Sequence, residues 1–143
     1  MSIGQYMEIT PEQRLEAEFA ALNERIVGLE AAARASADGI APAGLVDEAI
    51  DTLNGLMTAY ATHAGKPIPV TDDPLEVFKA YVKGDPSLNA IRDNVRELVY
   101  YRNCLAQGRQ DALPGNSALM TAHTARHVYL YLRTRCAQEH RLP

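Results

Sequence analysis

Three times in this chain a short polar residue is followed at once by proline and then by apolar residues at helical spacing. The three starts are Thr10-Pro11, Asp73-Pro74 and Asp85-Pro86. The polar side chain can accept a first-turn backbone N–H, and proline at the first helical position strands no donor. After Thr10 comes Gln13, which completes a capping box, and then an unbroken stripe of Leu15, Phe19, Leu22, Ile26, Leu29 and Ala33. The spacing predicts a helix over 11–35. A second stripe, Val46, Ile50, Leu53, Met57 and Tyr60, predicts a helix ending near Gly65. Lys66 to Asp72 carries Pro67 and Pro69 and reads as a stiff crossover rather than a strand. A short helix follows from Pro74 to Gly84, then a long one from Pro86 to Gly108. The last runs from a cap at Asn116 or Ser117 to about Gln138. The expectation is an all-α single domain over 1–143, a four-helix bundle with one extra short helix.

A chain of 143 residues can bury a core without metal or disulfide staples. Met1 to Thr10 shows no basic start leading into an apolar stretch, and no apolar run approaches the ~20 residues of a membrane span. Cys104 and Cys136 fall near the ends of two helices expected to run antiparallel, so they are predicted to be free thiols. A cytoplasmic protein with no membrane contact and no cofactor is the expectation.

The net charge of −4 conceals an imbalance. Residues 1–86 hold six Lys and Arg against 14 Asp and Glu, a net −8; residues 87–143 hold eight Arg against four acids, a net +4, with no lysine. The simplest consequence is an acidic hairpin packed beside a basic one. Arginine without lysine also suits planar, bidentate contacts.

One residue breaks the apolar patterning. Leu88, Ile91, Val95, Leu98, Arg102 and Leu105 keep the spacing of one helix face, yet the fifth is a permanent cation. A charge directed at a core pairs with an acid, reaches water or lines a cleft. Glu48 and Asp51 are the acids foreseen if the role is structural. If it is functional, Arg96, Tyr100, Asn103 and Gln107 form a polar strip beside Arg102, with Arg126 and Tyr129 of the last helix as further partner-binding residues.

The string Arg102-Asn103-Cys104-Leu105-Ala106-Gln107-Gly108 resembles the signature of the HEPN family of small helical domains, in which Arg, often with Asn after it, is followed by His. The likeness spans seven residues, their place at a helix end and the helix after them. It implies a dimer with a cleft at the motif and, in active members, metal-independent RNA cleavage by Arg and His. Gln107 stands where the family has His, and an amide cannot move protons near neutrality. The resemblance therefore implies a form that keeps the cleft and lacks the catalyst.

The last helix is apolar nearly all round, which predicts burial on more than one side, at the centre of the bundle or in a homodimer. His123 and His127 stand four apart on it, the spacing of a metal-binding pair. A divalent ion needs a third protein ligand, which could come only from His63 or His140 through the fold. The leading expectation is a non-catalytic regulatory module that dimerises and recognises a partner protein, or less readily RNA, near Arg102. A HEPN-type ribonuclease or toxin–antitoxin component and a metal-binding bundle are the alternatives. The acidic balance weighs against nucleic acid.

Overall fold

The second helix is buried nearly all round, and the other helices are arranged to cover it. A computed structural model describes residues 8–143, so the leader expectation for residues 1–7 lies outside the described part. The fold is all-α. In chain order α1 is Pro11–Arg34, α2 Ala43–His63, α3 Pro74–Val82, α4 Arg92–Ala106 and α5 Ser117–Gln138. Short 3-10 turns occupy Pro86–Ile91 and Gln110–Ala112, and no strand occurs among the described residues. None of the helices is long and apolar enough to cross a membrane.

The caps explain the boundaries. Thr10 Oγ1 accepts from the Gln13 amide at 3.0 Å while Gln13 Oε1 accepts from the Thr10 amide at 2.9 Å. Asp73 caps α3 through the Leu75 amide at 3.0 Å, and Asp85 accepts from the Ser87 amide at 3.2 Å. The α5 start differs from expectation. Asn116 makes no side-chain cap, and Ser117 instead turns its hydroxyl to accept the Ala41 amide at 2.8 Å.

On one side α1 and α5 pack against α2 and each other; on the other, α3 and α4 do the same, with α4 also touching α5. Leu45, Val46, Ile50, Leu53, Leu56, Met57 and Tyr60 of α2 are all buried, facing every neighbour. Each large side chain removed from water in this way contributes about 1.5–3 kcal/mol. The central position expected of the last helix thus belongs to α2. The inner face of α5 buries Ala118, Ala122, Ala125, Val128 and Leu132, but His123, His127 and Leu130 face outward. Small residues let α5 approach α1 and α2 closely along one side only.

Cys104 and Cys136 are buried free thiols. Burial pushes the Cys136 thiol up to about 11.

The α1–α2 and α4–α5 connections meet at Gly39. Its carbonyl accepts from the Ala118 amide at 3.0 Å, its φ is +77°, and a Cβ there would lie 2.6 Å from the Gly115 carbonyl oxygen. Only glycine allows both the left-handed turn and this approach. Gly39→Ala is therefore expected to lower stability by about 1–3 kcal/mol, seen as a fall in denaturation midpoint by circular dichroism. An unchanged midpoint would show that the loops do not hold each other.

Candidate interaction surfaces

From α4 onward the helical arginines differ: those on and after α5 are consumed inside the fold, and most of those on α4 are not. Arg126 and Arg133 lie two turns apart on the α5 edge that faces α1. Arg126 holds Glu30 with both oxygens, at 2.6 and 3.2 Å, and reaches Asn23 Oδ1 at 2.5 Å. Arg133 holds Glu16 the same way, at 3.0 Å twice. Arg135, on the opposite edge, binds Asp85 at 2.6 Å, Ser87 Oγ at 2.7 Å and Glu139 at 3.1 Å. Beyond the helix the chain turns back. Arg141 then stacks 4.0 Å over the Tyr60 ring, donates to His63 Nδ1 at 2.9 Å and to the Tyr60 carbonyl at 2.6 Å. His63 Nε2 stands 3.0 Å from Glu12. The acidic half of the chain is paired with the arginine-only half, as the charge imbalance suggests.

These contacts revise the site. Arg126 is engaged by Glu30, and Tyr129 is buried edge-on to Phe19 at 6.2 Å between ring centroids. They belong to the α1–α5 seam. Among the described residues no three His, Cys, Asp or Glu side chains stand close enough to hold a metal. His123 and His127 are exposed, while His63 is engaged with Glu12 and Arg141.

Arg102 is half-exposed rather than core-directed. The expected long helix from Pro86 is a 3-10 turn as far as Ile91 and α-helical only from Arg92. Three neighbours pack on α4, and its buried residues pass from Val95, Leu98 and Val99 to Tyr101 and Cys104, leaving Arg102 at the margin. A marginal arginine lays its stem on apolar surface and carries its head to water. Glu48, foreseen as its partner, bonds Arg25 at 3.0 Å, and Asp51 is exposed. Among the described residues Arg102 and Arg96 make no ion pair or side-chain hydrogen bond.

Arg96, Tyr100, Asn103 and Gln107 do share one exposed face of α4, with Tyr100 51% exposed. Successive residues are about 100° apart around a helix, so Arg102 stands a step off this strip. Two features escape notice in the sequence. Arg92 extends the strip by one turn; its nearest carboxylate is the exposed Asp93, at 3.9 Å. A hollow of about 300 Å³ opens between α3 and α4, lined by Leu75, Phe78, Val95, Val99, Arg92 and Arg96. The i, i+4 spacing of Arg92 and Arg96 was visible, but the neighbouring helix that completes the hollow was not. A second hollow, of about 400 Å³, gathers Lys66, Lys79 and Lys83 at the crossover. Compared with known protein families, curated proteins and solved structures, the chain matches none.

The Arg126 guanidinium holds the Glu30 carboxyl below its ordinary value of 4.5, outweighing burial. Burial works to raise the Glu139 carboxyl, but hydrogen bonds from Tyr60, Arg141 and Arg135 leave it lowered. A depressed carboxylate stabilises the fold fully above its unfolded value and loses that effect as pH falls through the folded one. Urea unfolding should thus show the stability from Glu30 and Glu139 present at neutral pH and lost as pH falls from their ordinary value of 4.5 through their lowered ones. Arg126→Met should cost roughly 1–3 kcal/mol at pH 7 and flatten part of the acid loss. An unaltered acid profile in that variant would refute the seam's role.

Proposed function

We propose that the chain is a cytoplasmic, non-catalytic interaction module that works as a homodimer and receives an acidic, amphipathic segment of a partner protein on α4, beside Arg102. One observation carries the partner reading: α4 presents exposed arginines next to an apolar hollow, whereas the α5 arginines are neutralised within the fold. Arg96, with no ion-pair partner among the described residues, and Arg92, 3.9 Å from the exposed Asp93, offer bidentate donors to carboxylates. Leu75, Phe78 and Val99 offer apolar contact to the same segment, the pairing of anchor and charge that a protein helix supplies. A phosphate backbone would use the charges and leave the hollow unfilled.

The test is fluorescence anisotropy with a labelled peptide of alternating glutamate and leucine turns, and separately with single-stranded RNA. Peptide binding should weaken at least tenfold in the Arg92→Glu, Arg96→Glu double variant, about 1.4 kcal/mol, and weaken with added salt. RNA binding without peptide binding would replace this reading with a nucleic-acid one. RNA cleavage in EDTA, abolished by Arg102→Ala, would replace it with the HEPN ribonuclease.

A further inference from the structure

From Asn116 to Thr134 the outward face of α5 carries no Asp, Glu, Lys or Arg; Arg135 and Glu139 border it only at its C-terminal end. Asn116, Leu119, His123, His127, Leu130 and Thr134 are all exposed on it, with Met120 and Tyr131 half-buried beside them. Exposed helix faces of globular domains are normally charged. Here the arginines bordering the strip on both sides are turned away into Glu30, Glu16 and Asp85. A neutral strip edged by neutralised cations meets no electrostatic barrier against a copy of itself.

The strip is also self-complementary. Let two α5 helices run antiparallel about a two-fold axis level with Ala125. His123 then stands level with the partner's His127, Met120 with the partner's Leu130, Leu119 with the partner's Tyr131 and Asn116 with the partner's Thr134. Apolar residues meet apolar ones, amide meets hydroxyl, and imidazole meets imidazole. In the same register the two Arg126 side chains lie on the same edge, about 3 Å apart in level, and each is neutralised by its own Glu30.

We infer that His123 and His127 form half of a divalent-metal site, completed by the same two histidines of a second copy docked antiparallel on α5. Imidazoles four apart on a helix converge on one ion, and four nitrogens from two helices match the tetrahedral preference of zinc. Interface area decides why a metal is needed. A helix of 22 residues is about 33 Å long. A strip about 10 Å wide therefore covers roughly 330 Å² per copy, short of the ~800 Å² of a stable interface. The shortfall makes the pair metal-dependent. The inference rests on reading the chain as a homodimer, and the experiment separates the two.

Untagged full-length protein is measured by sedimentation in EDTA and with half an equivalent of Zn²⁺, with bound metal counted. The expected result is a monomer in EDTA and a dimer with zinc, at one ion per two chains. His123→Ala and His127→Ala should both abolish the zinc dimer, and His140→Ala should keep it. Leu130→Glu, which puts a charge in the strip without touching a ligand, should leave the protein monomeric at the same zinc level. All four side chains are exposed, so folding is not at stake. A dimer indifferent to EDTA and to the histidine variants overturns the metal site and spares the homodimer. A monomer under all conditions overturns both. One zinc per monomeric chain overturns the bridging geometry.

Discussion

Everything on the outside of this protein follows from the need to cover α2. That helix buries residues around most of its circumference, among them Leu45, Ala49, Leu53, Leu56 and Tyr60, and no single neighbour can shield so wide an apolar surface. Four helices must share the task. Each therefore commits its best apolar face inward and leaves the remainder to solvent. On α5 the inward face is made of small residues and the outward one holds the histidines. On α4 the outward face holds Arg92, Arg96 and Tyr100. The two surfaces of functional interest are by-products of one packing requirement.

The electrostatics are layered on this arrangement. Glu16 and Glu30, about four turns apart on α1, meet guanidiniums on α5 as bidentate pairs, half-buried at the rim of the core. Partial burial matters, because fully exposed pairs are worth little and fully buried ones repay their desolvation poorly. At the far end Arg135 and Arg141 join α2, the α3–α4 connection and the returning tail through Tyr60, His63, Asp85 and Glu139. These groups fix which helix ends lie together, while the apolar core fixes how closely.

Much of the fold could be read from residues alone. The Thr10, Asp73 and Asp85 caps and the stripes that follow them locate the helices within a few residues, because capping and periodicity are local. The charge imbalance anticipates the α1–α5 seam. What escaped was relational. The apolar residues of α5 could not reveal that α2 would be central, since both helices are apolar over a wide arc. The stripe Leu88, Ile91, Val95 and Leu98 is buried as its spacing predicts, but beyond Leu98 the buried set moves to Tyr101 and Cys104, and nothing local announces that Arg102 and Leu105 fall at the margin. The partners of Arg126 and Tyr129, Glu30 and Phe19, lie about a hundred residues away in sequence, and nothing local announces them. The α4 strip was visible as a spacing, and its hollow was not, since α3 supplies half the wall.

The lysines have a consequence of their own. All three side-chain amines, at Lys66, Lys79 and Lys83, line one hollow beside the crossover, and none follows in the chain. Any enzyme that acylates or conjugates lysine side chains must work on that single corner. The α4 and α5 helices, which bear the proposed arginine and histidine contacts, offer such chemistry no nucleophilic amine, whereas α3, which supplies half the wall of the α4 hollow, carries Lys79.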